Sequence, residues 1–371
     1  MKLVTILGTR PEIIRLSCFI KKADKYFEHI LVHTGQNWDK NLNDIFFEEM
    51  EIRKPNYFLN CVGKNLGETI GNIISKSYDI LMEIKPDALL ILGDTNSCLS
   101  ALSAKRLKIP IFHVESSQRC FDFNVPEEIN RKIIDHISDI NLCYSETARR
   151  NLIAEGFKIE NLFVVGSPLT EVLETYKLNI TESKILEKLN LKKNDYILLS
   201  LHREENIDIE KNFNKVVKTI NKVAEKYNIP IIFSTHPRTK KKLNDKNIIL
   251  NKNIISMEPF GFFDYCNLQM NALCVLSDSG SIFEESAILN FPAVSFRTSN
   301  ERQETIDKGN IVMGNIKAEY VLPSIDIAIK LFDKNNKILP YDYKDNNVST
   351  KLIKIIQGYT PIINKYTWFK D

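Results

Sequence analysis

Carboxylates and cations stand at the polar ends of apolar runs along this chain. Asp94 follows Ala88–Leu92 in Gly93-Asp94-Thr95, and Glu115 closes His113-Val114-Glu115. Glu127 lies in Pro126-Glu127-Glu128-Ile129-Asn130-Arg131, four residues before Arg131, the spacing of an ion pair on one helix face. Carboxylates held close together push one another's pKa upward, as a proton-transfer site requires. The cations are placed to hold an anion. Arg10 sits in Gly8-Thr9-Arg10-Pro11-Glu12, where free N–H groups of a helix start would face a ligand, and His202 and Arg203 follow Tyr196–Leu201. After Ala272–Leu276, Ser279, Gly280 and Ser281 can present N–H and hydroxyl groups to a phosphate, and Glu285, a turn later, can reach ribose hydroxyls. The chemistry implied is proton transfer beside a bound nucleoside diphosphate.

Each motif alone also has a plain structural reading. Asp94 can cap a helix, Arg10 can be solvated, and an exposed Glu127–Arg131 pair is worth only ~0.3–0.5 kcal/mol. His236-Pro237-Arg238 and Arg297–Arg302 read as capped loops. Three carboxylates at strand ends are harder to dismiss, because a glutamate ending an apolar strand is costly to bury unless paired.

The elements that must carry these residues alternate. Leu3–Leu7, His29–His33, Ala88–Leu92, Ile109–Val114, Ile140–Tyr144 and Leu162–Val165 read as strands of a first series. Tyr196–Leu201, Pro230–Thr235, Asn253–Met257, Ala272–Ser277 and Pro292–Phe296 form a second. Amphipathic helices intervene, as at Lys211–Tyr227 with Phe213, Val216, Val217, Ile220, Val223 and Ala224 on one face. Two series of βα units imply an α/β chain of two doubly wound Rossmann-like domains facing a cleft, with ligands beyond the carboxyl ends of the strands. The expected division is residues 1–167, 168–350 and a C-terminal segment 351–371, with Val348–Ile356 helical in pattern.

With 371 residues, 43% hydrophobic and 26% charged, the chain is long enough for two cores and ordinary for a globular protein. A net charge of +3, from 50 basic against 47 acidic residues, argues against nucleic acid or a membrane surface as partner. No apolar run approaches the ~20 residues that span a bilayer. The N-terminus enters a strand at once, so the expected location is the cytoplasm. The seven cysteines lack metal or redox spacing and read as buried reduced thiols. No Gly-x-Gly-x-x-Gly or Walker loop occurs, and no cofactor or metal is expected.

Taken in order, Gly-Thr-Arg-Pro-Glu, Gly-Asp-Thr, His-Val-Glu, Pro-Glu-Glu-x-Asn-Arg, His-Arg-x-Glu-Asn, Asp-Ser-Gly and Glu-Arg-x-Glu resemble the non-hydrolysing UDP-N-acetylglucosamine 2-epimerase family from Gly8 to about Gly309. The resemblance implies a glycosyltransferase-B type fold, a last helix that crosses back to the N-terminal domain, and a homodimer. It also implies inversion at C2 of a UDP-linked N-acetylhexosamine by elimination and re-addition of UDP, without metal or nicotinamide. Asp94, Glu115 and Glu127 would be the acid/base set, and Arg131 would orient the sugar or Glu127. His202 and Arg10 would stabilise the departing diphosphate; Ser279, Gly280 and Glu285 would hold phosphate and ribose; Arg15 and Arg203 would assist binding.

The chain also departs from the family pattern. Arg15 replaces a lysine, Ser116-Ser117-Gln118 replaces Ala-Gly-Leu, and Ser281 replaces a glycine of the phosphate turn. Glu204 replaces an arginine that helps bind an activating second substrate, so such activation should be weak or absent. Arg15, Arg119-Cys120-Phe121-Asp122 and His-Arg-Glu-Glu-Asn resemble the subgroup that makes UDP-N-acetyl-L-fucosamine from 6-deoxy substrates. A glycosyltransferase of the same fold and a non-catalytic nucleotide-sugar sensor are the competing classes.

Overall fold

A computed structural model describes residues 1–35 and 40–370, the side chains of 40–44 apart. Contacts divide the chain into two units, residues 1–174 with 341–371, and residues 175–340. Each is an α/β unit built on one parallel sheet with helices between successive strands.

The first unit contains β1 (Lys2–Leu7), β2 (Glu28–His33), β3 (Tyr57–Phe58), β4 (Ala88–Leu92), β5 (Ile111–Ser116), β6 (Ile140–Cys143) and β7 (Leu162–Val164). Their order in the sheet is β3-β2-β1-β4-β5-β6-β7. Every residue of β4 is buried, the uninterrupted apolar pattern of a strand covered by helices on both faces. The order reverses between β1 and β4. In such sheets ligands bind outside the carboxyl ends at that point, which here means the turns Gly8–Arg10 and Gly93–Asp94.

The second unit repeats the plan with β8 (Ile197–Leu201), β9 (Ile231–Thr235), β10 (Ile254–Met257), β11 (Cys274–Ser277), β12 (Ala293–Ser295) and β13 (Val312–Met313), ordered β10-β9-β8-β11-β12-β13. Its reversal lies between β8 and β11, whose turns are His202–Arg203 and Asp278–Ser281. The apolar face of helix Glu210–Tyr227 buries Phe213, Val216, Ile220, Val223 and Ala224 against this sheet.

Two strands escape the sequence pattern. β3 and β13 are two-residue edge strands, too short to show any period. The last helix is longer than its pattern, running Val348–Tyr366 through Gly358 and Pro361, both of which read as stop signals. It continues because Leu352, Ile356, Thr360 and Ile363 stay buried on one face, packed against helix Arg10–Tyr26. All seven cysteines are free; five are buried, whereas Cys18 and Cys120 are partly exposed, which corrects the expectation for those two. Among the described residues no helix is long and apolar enough to cross a membrane.

Candidate functional site

In the first unit the turn after β1 is closed by its own glutamate. Glu12 is buried, and its Oε2 accepts from Gly8 N at 2.9 Å, Thr9 N at 2.7 Å and Thr9 Oγ1 at 2.8 Å. Its Oε1 accepts from Ser97 Oγ at 2.5 Å and Thr95 Oγ1 at 3.1 Å, tying this turn to the one after β4. Burial pushes the Glu12 carboxyl above its ordinary range, against the pull of those donors. The N–H groups of Gly8 and Thr9 are therefore not free to face an anion, contrary to expectation. Arg10 begins the helix and lies 5.7 Å from the ring centre of Phe46.

The turn after β4 carries Asp94. Arg131 Nε donates to Asp94 Oδ2 at 2.6 Å, and Asn130 Nδ2 donates to the Asp94 carbonyl at 2.8 Å. Both donors come from helix Pro126–Ile137, which proline starts. Arg131 Nη1 donates to Glu128 Oε2 at 2.9 Å, so the guanidinium bridges the turn and the carboxylate next to Glu127. Glu128 is fully buried and also accepts from the N–H groups of Cys120 and Phe121 at 3.1 and 3.2 Å.

Glu115 is set by a backbone irregularity. The pairing of β5 with β6 shifts register between Val114 and Ser116, and Glu115 at the shift has φ +68°. A bulge re-aims one side chain of a strand, and a left-handed non-glycine residue costs of order 1–3 kcal/mol, a strain that collects at functional sites. Tyr144 OH donates to Glu115 Oε2 at 3.1 Å, and the Arg15 guanidinium carbon stands 5.9 Å from the Tyr144 ring centre. Glu115 also faces Gly93, where an added Cβ would lie 3.5 Å from Oε2. The structure thus gathers Asp94, Glu115, Arg131 and Arg15 about the ends of β4 and β5, with Glu127 on the first turn of the adjoining helix.

In the second unit Asp278 organises the cationic loop. It is fully buried and accepts from His202 N at 3.0 Å, Arg203 N at 3.1 Å and Asn206 Nδ2 at 3.0 Å. His202 Nδ1 lies 3.3 Å from Asp278 Oδ1, which turns Nε2 of this part-exposed ring away from the carboxylate. The His236 ring stands 6.3 Å from that of His202. Ser279 and Ser281 bond to each other through Oγ atoms 2.9 Å apart, ahead of helix Ile282–Leu289. Gly280 faces a buried pair in which Arg297 grips Glu301 through two bonds of 2.6 Å. Arg203 Nε pairs with Glu205 at 2.6 Å, while Glu285 is held by Gln269 Nε2 at 2.6 Å. Glu204 pairs with Arg238 at 2.9 Å on the surface.

Sequence reasoning passed over Glu128, Asp135, Asp278 and the Arg297–Glu301 pair as site residues. Glu128 carried a usable signal, its i, i+3 spacing to Arg131 in a helical pattern, whereas Arg297 and Glu301 lie outside any helix and their spacing carried none. Asp135 carried another, an acid beside Ile134 on the buried face of a helix, which must find partners.

The family model for UDP-N-acetylglucosamine 2-epimerase matches residues 21–357. UDP-N-acetylglucosamine 2-epimerase of Methanocaldococcus jannaschii is 39% identical over 339 residues, covering 89% of this chain and 92% of that one. The solved structure of UDP-N-acetylglucosamine 2-epimerase from Rickettsia bellii superposes with TM-score 0.93 at 48% identity, covering 100% of both chains. The structure of the M. jannaschii enzyme in complex with UDP-GlcNAc and UDP gives 0.90 at 36% identity, covering 96% of this chain and 100% of that one. On this match and on motifs that fall at the strand ends described, the chain belongs to the UDP-N-acetylglucosamine 2-epimerase family.

Proposed function

We propose that this chain inverts C2 of a UDP-linked N-acetylhexosamine, converting UDP-N-acetylglucosamine to UDP-N-acetylmannosamine without hydrolysis. The observation that carries the reading is the pair of carboxylates Asp94 and Glu115 at neighbouring strand ends, one clamped by Arg131 and the other aimed by a bulge. A carboxylate of the set Asp94, Glu115 and Glu127 takes the C2 proton as the C1–O bond breaks, leaving 2-acetamidoglucal and UDP. Return of a proton to the other face of C2, with re-addition of UDP at C1, completes the inversion. His202 and Arg10 stabilise the charge growing on the departing diphosphate, Arg131, Arg15 and Arg203 orient the substrate, and Ser279, Gly280, Ser281 and Glu285 hold phosphate and ribose. The proposed setting is a cytoplasmic homodimer supplying cell-surface polysaccharide synthesis.

NMR in deuterated water with UDP-N-acetylglucosamine tests this directly. Deuterium entering C2 without an acceptor, together with the epimer, is the expected result; release of free N-acetylmannosamine with stoichiometric UDP would transfer the chain to the hydrolysing class. Asp94→Asn should lower exchange by about 100-fold or more while UDP still binds. A second reading, a 6-deoxy substrate leading to UDP-N-acetyl-L-fucosamine, is favoured by Phe121 and Phe123, 69% and 65% exposed just ahead of the helix that carries Glu127. Faster exchange with the UDP-linked 6-deoxy-talose analogue would select it.

A further inference from the structure

His113 lies on β5 two residues before Glu115, with its ring buried and engaged at both nitrogens. Nε2 is 2.9 Å from the carbonyl oxygen of Gly93, the residue before Asp94, and Nδ1 is 2.9 Å from Asp135 Oδ1. A carbonyl can only accept, and so can an ionised carboxylate, so both ring nitrogens must donate. Burial works against the charge of Asp135, yet bonds from His113 and Arg119 hold its carboxyl below the ordinary range. The other oxygen, Oδ2, accepts from Ser117 N at 3.0 Å and Arg119 Nη1 at 2.7 Å. Arg119 in turn pairs with Glu155 at 2.7 Å, and His136 lies 3.3 Å from that same carboxylate. Ser117, like Glu115, has a left-handed backbone, with φ +68°.

We infer that His113 and Asp135 are positioning residues: an imidazolium–carboxylate clamp that fixes the Asp94 turn, the Glu115 bulge and the helix bearing Glu127 and Arg131 in one arrangement. Neither side chain meets Asp94 or Glu115 in a hydrogen bond; they act through the Gly93 carbonyl and the Ser117 N–H. Arg131 and Asn130 already hold the helix on the Asp94 turn, and Tyr144 holds Glu115. Without the clamp nothing couples those two strand ends through β5, and each can shift by fractions of an ångström. Misplacement of that size at a reacting centre costs rate rather than affinity. The inference rests on the epimerase reading for its kinetic test.

The test compares His113→Phe, which loses both N–H donors, with His113→Gln, which keeps one able to reach the Gly93 carbonyl. His113→Phe should lower kcat for C2 exchange by about 100-fold, with KM and UDP affinity within about threefold of wild type. His113→Gln should recover at least about tenfold of that loss, the worth of one restored bond near a charge. A His113→Phe kcat within about threefold of wild type, or equal losses in the two variants, overturns the clamp. Independently of turnover, nitrogen-15 NMR of the wild-type ring should show both His113 nitrogens carrying a hydrogen-bonded proton, and a ring with one bare nitrogen overturns it. If the wild type exchanges deuterium into neither UDP-sugar, the epimerase reading fails, and the ring spectrum alone decides the clamp.

Discussion

Two serines stand where the family favours glycine, and the backbone separates them. Ser281 has φ −70° and ψ −22°, an unstrained conformation, and keeps its N–H and hydroxyl bonded to Ser279 in the turn ahead of helix Ile282–Leu289. Ser117 sits at φ +68°, in the left-handed region that penalises a Cβ by roughly 1–2 kcal/mol. Ser117→Gly removes that strain but also the buried hydroxyl's bond to the Ser116 carbonyl, worth about 0.5–1.5 kcal/mol, and adds unfolded-state entropy. The three nearly cancel, so the urea midpoint should correspond to a stability within about 1 kcal/mol of wild type, at constant slope. His33 gives a pH signature: buried, stacked on Phe58 at 4.9 Å, and accepting from Gly35 N through Nδ1, its pKa is lowered by burial to about 4. The folded protein then binds fewer protons than the unfolded chain between about pH 6.5 and 4. The contribution of His33 is thus complete above 6.5 and lost as pH falls through that window, roughly 3 kcal/mol in all. His33→Phe should flatten that part of a pH–stability curve. Side-chain types at strand ends were legible in the sequence. What Glu12 does with the N–H groups of Gly8 and Thr9 was not, because a capping carboxylate and a free anion compete for the same donors.

Strands carry the site, and their ends were readable because a fully buried parallel strand is an unbroken apolar run with abrupt polar borders. β4, read as Ala88–Leu92, is observed over the same residues. The bulge in β5 left no mark, since one extra residue in a run ending Val114-Glu115-Ser116 changes no periodicity. β3 and β13 went unread for want of length. Connections can be as constrained as strands. Gly166, after β7, has φ +88°, and a Cβ there would come within 2.8 Å of the Asp342 carbonyl oxygen. Gly166→Ala combines left-handed strain with a clash against backbone that cannot swing aside, and should cost about 2–4 kcal/mol, read as a lower melting temperature.

For the whole molecule, the sequence division near residue 167 differs from the structural one because contacts, not motif series, draw it: residues 168–174 and 341–371 belong with the first sheet. Removing residues 348–371 would uncover the partners of Val348, Leu352, Ile356 and Ile363, about 6–12 kcal/mol at roughly 1.5–3 kcal/mol per buried side chain. That matches the entire stability of an ordinary domain. The truncated chain should lose the unfolding transition of the first unit, seen as a missing calorimetric peak. The same nesting dictates an order of birth. A ribosome finishes residues 175–340 before it has made helix Val348–Tyr366, so the enclosed unit can fold first while the enclosing one waits, its Arg10–Tyr26 flank bare, for that helix.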